Sequence, residues 1–336
     1  MERRRKRNPK RLLILLIALF FTTVMFTTTT YAWFTANKTV TVNTLTVNVA
    51  AQNGIQISAD GTNWKSIVQT DDLRGVHTTT YTNSVNQIPE SMEPVSTIGN
   101  IDSNGRMEMY YGVVASNAST GQYILTATKE EDVDGNTGKY IAFDLFFKVD
   151  AATDIYLTTN SGVRVPDAND TGIRNAARIG FVVLGNTAAG SSIATIQGLN
   201  AGTTASKYIW EPNYDIHTPA AVSHARDVYG ETTTETGGSP LAYSGVKAPI
   251  SADDNVLLNV EGATQYSTRN SAFFADVTPA YKTIDGFSEK PQIFSLAAGV
   301  TKVRIYMWVE GQDVDCENSA SGGNIKFDLQ ITTEAN

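Results

Sequence analysis

Ten short runs along this chain share one pattern, and it is the pattern of strands. They are VTVNTLTVNV (40–49), GIQIS (54–58), MEMYYGVVA (107–115), QYILTAT (122–128), YIAFDLFFKV (140–149), DIYLTT (154–159), RIGFVVL (178–184), KYIWE (207–211), VRIYMWVEG (303–311) and NIKFDLQIT (324–332). Val, Ile, Tyr, Phe and Thr dominate them, residues that fit a pleated, half-buried surface. Gly, Asn, Asp and Ser fill the gaps, where turns need them. Sustained helical periodicity is scarce; the stretches near 217–229 and 268–277 have room for a helical turn or two. The pattern predicts an all-β fold, an antiparallel β-sandwich or jelly roll with long loop elaborations. Strand signals thin out over 186–300, and ETTTETGGSP (231–240) is polar and Gly-rich. That region reads as an elaboration on one end of the sandwich, within a single domain spanning 51–336.

The first 32 residues follow different rules. Seven of the first eleven residues are basic, Glu2 is the one acid among them, and LLILLIALFF (12–21) comes next. A charged head, an apolar stretch and a small residue at the cut make a secretory signal. The basic flank stays inside and sends the rest out. Cleavage is expected between Ala32 and Trp33, giving a signal peptide over 1–32 and a secreted product. The rival is a retained anchor, because residues 12–34 are uncharged and long enough to span a bilayer. The four threonines at 27–30 shorten the strongly apolar part and favour the cut.

Charge narrows the partners. The whole chain has 26 Lys+Arg against 34 Asp+Glu. Seven of those bases and one acid precede Trp33, so the remainder carries 19 against 33, a net of −14. Such a body repels phosphate, and nucleic acid is not an expected partner. The single cysteine, Cys316, rules out an internal disulfide and a cysteine-built zinc site.

Catalytic signatures are missing. There is no HExxH, no GxSxG and no phosphate loop ending in GK[ST]. His217 and His224 lie seven apart in a Pro-flanked stretch and read as surface or packing residues. EEDVDGNTGKY (130–140) sets Asp132, Asp134 and Asn136 at alternate positions, like the first half of a calcium loop. Thr137 then stands where such a loop needs Gly, and Phe143 where it needs a bidentate Glu. Calcium is therefore a weak candidate, no cofactor is expected, and the segment reads as a hairpin turn joining 122–128 to 140–149. The acidic EGQDVDCEN (310–318) reads as a solvated turn. The expectation is a protein that is not an enzyme. An adhesin or carbohydrate-binding protein, with Trp64, Trp210 and Trp308 as candidate contacts, is the alternative, and an extracellular hydrolase a distant third.

The junction after the apolar stretch is more specific. TYAWFTANKTVTVNTLTVNVAA (30–51) has Ala32 at the cut, the aromatic pair Trp33–Phe34, a polar stretch from Thr35 to Lys38, and then Leu45, Val47 and Val49. This order resembles the cleavage region of the TasA/camelysin family of Gram-positive biofilm-matrix proteins. The resemblance covers roughly the first 60 residues. It implies export, removal of the leader by a dedicated signal peptidase, a jelly roll, and self-assembly into extracellular fibres by donor-strand complementation. Under that implication residues 33–50 form the donor segment and the chain is its own partner, head to tail. The membrane would be involved only through the uncleaved precursor. Val40, Val42, Leu45, Val47 and Val49 are the candidate donor residues. Val40 and Val42 have one parity and the other three the opposite, so a one-faced strand needs a bulge near Asn43–Thr44.

Overall fold

The computed structural model describes residues 42–335, apart from 52–53, 82–83, 85, 117–118, 122, 134, 167–169, 258–269, 318–319 and 321. In chain order the strands begin with β1 (Val42–Ala51), β2 (Gln56–Ser58) and β3 (Ile67–Gln69). Helix α1 (Thr70–Thr79) follows, then β4 (Ser91–Met92), β5 (Met109–Ser116), β6 (Tyr123–Glu130), β7 (Ile141–Val149), β8 (Thr153–Leu157) and β9 (Gly162–Arg164). Next come β10 (Ala177–Thr187), helix α2 (Ile193–Gln197), β11 (Ser206–Pro212) and helix α3 (Pro219–His224). The chain finishes with β12 (Tyr243–Val246), β13 (Phe274–Val277), β14 (Tyr281–Thr283), β15 (Gln292–Leu296), β16 (Gly299–Val309) and β17 (Asn324–Thr332).

These strands build two large sheets. The first runs β15-β8-β17-β1-β3, with β4 added beside β1 and β9 beside β17. The second runs β14-β11-β10-β16-β7-β2. The sheets face each other across one apolar core. Val49, Ile155 and Phe327 enter it from the first sheet, and Phe143, Phe181 and Ile305 from the second. Phe294 of β15 joins the two layers, its ring 5.8 Å from Phe147 and 5.7 Å from Phe181. The fold is thus an all-β sandwich, as the strand pattern predicts. It is not purely antiparallel. β1 runs parallel to β17 and β11 parallel to β14, so both sheets are mixed.

The second sheet is covered on both faces, which explains its long apolar runs. Every residue of β16 is buried. Val303, Ile305, Met307 and Val309 face the main core, while Tyr306 and Trp308 join a second cluster with Met107, Met109, Ala142 and Val182. Two two-stranded antiparallel sheets, β5–β6 and β12–β13, form the layer outside. They share a third cluster built on Tyr110, Leu125, Val246 and Phe274.

Several expectations are corrected by this arrangement. The 186–300 region does not sit at one end: it supplies β11 and β14 to one main sheet, β15 to the other, and β12–β13 to the outer layer. Residues 131–140 do not make a hairpin, because β6 pairs with β5 while β7 pairs with β16 and β2. That connection crosses between layers, and Gln87 plugs it. Gln87 Nε2 donates to the Tyr140 carbonyl at 2.7 Å, and its Oε1 accepts from Val133 N at 2.6 Å. The helical turns expected near 217–229 are found, in α3 and the π-turn Ala225–Tyr229. Near 268–277, where 268–269 lie outside the described residues, there is a single turn, with Phe273 N and Phe274 N both donating to the Asn270 carbonyl, before the strand Phe274–Val277.

Candidate functional site

The proposed donor segment lies partly outside the described residues: Ala32, Trp33 and Val40 fall there, while Val42, Leu45, Val47 and Val49 lie in β1. Within the single chain this strand already has a place. One edge of β1 pairs in parallel with β17, with Asn43 opposite Asn324 and Ala51 opposite Ile331. Among the described residues the other edge meets two short strands, β3 at 48–50 and β4 at 42–43. A bulge is present, but just beyond the expected Asn43–Thr44, between Thr44 and Val47. Three steps on β1, from Thr44 to Val47, match two on β17, from Ile325 to Phe327. The extra residue brings position 42 into the parity of 47 and 49. Val49 is fully buried in the main core. After β1, Gly54 takes a left-handed φ of 81°, and a Cβ there would meet nothing within 4 Å. The crossing to β2 therefore turns on a glycine in open space.

A second concentration of polar groups departs from the sequence expectation at the turn after β16. The turn after β16 is not solvated: Glu310 and Glu317 are fully buried and Asp315 nearly so. The two histidines are buried packing residues, one of the two readings that the sequence allows. Each lies at one end of α3, where Thr218 caps the first turn by accepting from Ala221 N. His217 Nδ1 is 2.7 Å from Asp315 Oδ2, and Thr218 N donates to Asp315 Oδ1 at 3.0 Å. His224 Nδ1 is 3.3 Å from Glu317 Oε1, with the imidazole stacked on Tyr229 at 5.3 Å. Beneath them Arg178 is wholly buried, bound to Glu211 at 2.9 Å and to Asp313. Trp308 Nε1 and Gln312 N both donate to Glu310, each at 3.1 Å.

Charge states in this cluster follow from burial. Loss of water pushes the Glu310 carboxyl up to about 7, against the hydrogen bonds of Ser96, Trp308 and Gln312. Burial, helped by the charge of Asp313, also raises Asp315. For His217 burial works the other way, but the Asp315 oxygen and the surrounding carboxylates overrule it and raise the imidazole. Both members of the pair therefore keep protons to higher pH than they do in water.

The remaining sequence candidates do not come together as sites. Asp132 turns inward, accepting from Tyr140 OH at 2.7 Å and Tyr306 OH at 3.0 Å, with Arg304 3.8 Å away. Its oxygens serve hydroxyls and a guanidinium, whereas Asn136 is exposed and Asp134 lies outside the described residues. Among the described residues no three His, Cys, Asp or Glu side chains are grouped to hold a metal ion. Trp210 and Trp308 are core residues rather than sugar contacts, with Trp210 Nε1 donating to Thr283 at 3.0 Å. Trp64 is partly buried against the main core, and Lys148 lies 5.5 Å over its ring. No protein-family model matches the chain, and neither does any curated protein or solved structure.

Proposed function

We propose that this chain is a secreted structural subunit that polymerises by exchanging its N-terminal strand between copies. The observation that supports this reading is the placement of β1. It is the first strand of the described chain, its long partner is the last, and among the described residues its opposite edge is covered by a three-residue and a two-residue strand. A β1 from a second copy would meet the same β17 edge and the same core position at Val49, so exchange conserves the contacts of the closed form. Because β1 occupies its own sheet, assembly means displacement, not the filling of a vacant groove. Head-to-tail repetition of that exchange gives an open filament. The junction at Ala32–Trp33 supplies the timing, since cleavage there frees the segment preceding β1 from a membrane-bound leader. The resemblance to biofilm-matrix fibre proteins supports the same reading, and a jelly-roll topology would accompany it.

A staple tests it. Asn48 and Asp328 are register partners on β1 and β17. In a Cys316→Ala background, Asn48→Cys with Asp328→Cys is expected to close β1 onto its own sheet when oxidised. Electron microscopy should then show no filaments until a reductant is added. Filaments built from chains that a non-reducing gel shows to be stapled within one copy would overturn strand exchange.

A further inference from the structure

The turn joining β16 to β17 buries four carboxylates, those of Glu310, Asp313, Asp315 and Glu317. Several elements packed against it present charged or titratable groups, while Ala176, Val95 and Ser96 meet it through carbonyl and hydroxyl contacts. Arg178 comes from β10, Glu211 from β11, and Lys282 from β14, its Nζ 3.6 Å from Glu211. His217 and His224 flank α3, and Tyr243 of β12 lies with its ring 5.0 Å from the Arg178 guanidinium. With every acid ionised and both histidines neutral, five buried carboxylates share one guanidinium and one more distant ammonium. That state is costly in a dry environment.

We propose that residues 310–317 form a proton-operated clip, held shut while Glu310 and the His217–Asp315 pair carry protons and opening locally when they release them. The geometry supplies both the fastening and the release. The fastening is the pair of histidine–carboxylate contacts that tie the turn to the two ends of α3. The release is like-charge repulsion once those protons leave. Beside the turn, Asn175, Tyr243, Asp313 and Asp315 line a cavity of about 10 Å3, room for one water. Asn175 Oδ1 and Tyr243 OH, both buried there, have no hydrogen-bond partner among the described residues. The interior next to the clip is thus ready to take up water as it opens. The direction follows from linkage: groups that hold protons more tightly in the closed form make opening easier as pH rises.

The clip carries its own reporter. Cys316 is the one cysteine of the chain and is fully buried within the turn. The test measures its modification by a thiol reagent in the full chain. Dividing each rate by that of the same chain in denaturant, at the same pH, removes the thiol's own ionisation. The normalised rate is expected to rise tenfold or more from about pH 5.5 to about pH 8, while the urea midpoint reports global unfolding separately. Glu310→Gln with Asp315→Asn should flatten that rise. A flat wild-type profile overturns the proposal. So does a rise that merely tracks global unfolding, or one that persists unchanged in the double variant. If the double variant does not fold, amide exchange of 310–317 in the wild type decides, because opening there must follow the same pH profile.

Discussion

Arg304 grips Asp144 across adjacent strands with two hydrogen bonds, Nε to Oδ1 at 2.7 Å and Nη2 to Oδ2 at 3.1 Å. Lys302 approaches the same carboxylate at 3.2 Å, and Tyr81 OH donates to it at 2.7 Å. All of this lies on the outer face of the second sheet, and Asp144 is fully buried. Burial alone would raise the Asp144 carboxyl, but Arg304 and Lys302 overrule it and hold it well below the ordinary range.

Removing the anion should therefore cost far more than an ordinary surface salt bridge. Asp144→Ala leaves two buried cations facing each other, and a loss of about 3–5 kcal/mol is expected. Tyr81→Phe deletes one donor and should cost about 1–2 kcal/mol. Urea unfolding of the two variants reads the difference, and equal losses would show that Asp144 does not organise the cluster.

Stability should peak in mildly acidic solution. Hydrogen bonds from Asn63 N and Thr62 N, with others, overcome burial and hold Asp60 at about 2, so its contribution is lost as pH falls through the acid range. Asp144 acts in the same sense. Glu310, raised to about 7, acts in the opposite sense, as do Asp315, His217, Asp132 and Glu211, all raised. The folded chain binds more protons than the unfolded one through these groups, so stability declines as pH rises from about 4.5 to about 7.5. Glu310 alone accounts for about 3 kcal/mol of that decline. Urea midpoints measured across the range should fall toward neutrality, and a maximum at neutral pH would contradict the assignment.

The strands that could be read from sequence were those long enough to repeat their pattern. IAFDLFFKV and VRIYMWV carry apolar, mostly β-branched or aromatic residues at their core positions, and both appear as central strands. β3, β9 and β14, of three residues each, leave no periodicity to detect. Helix α1 hides behind Gly75 and several threonines, poor helix formers. What fixes it is tertiary: Leu73 is fully buried, and Asp72 accepts from Gln69 N at the first turn. The acidic turn misled for a related reason. Its charges look solvated until the histidines arrive, and His217 lies 98 residues from Asp315 in sequence. The alternation of acids at 313, 315 and 317 is visible in the sequence, but the layer that buries them is not.

Gly299 begins β16 with φ at 110°, and a Cβ there would lie 2.2 Å from the Thr187 carbonyl oxygen. Both the left-handed backbone and the close approach require glycine. Gly299→Ala should destabilise by about 2–4 kcal/mol through strain and displacement of β10. Gly286 also has positive φ, at 69°, but open space around it, so Gly286→Ala should cost only about 1 kcal/mol. Comparable losses in thermal unfolding would mean that the carbonyl contact contributes nothing.

Shortening the crossing from β1 to β2 should drive the chain toward exchange. β1 ends at Ala51 in one sheet and β2 begins at Gln56 in the other. Face-to-face sheets stand about 10 Å apart, and the steps from Ala51 to Gln56 can reach about 17 Å fully extended. Deleting Gln52 and Asn53 leaves a path of about 10 Å fully extended, with no allowance for the turn at Gly54. β1 then reaches its own β17 only under strain, whereas a β17 from another copy imposes no such limit. Strained hinges favour swapped assemblies for this reason. The deletion variant is expected to elute as dimers and longer oligomers in size-exclusion chromatography with light scattering. A stable monomer with an unchanged urea midpoint would mean that the crossing does not govern where β1 pairs.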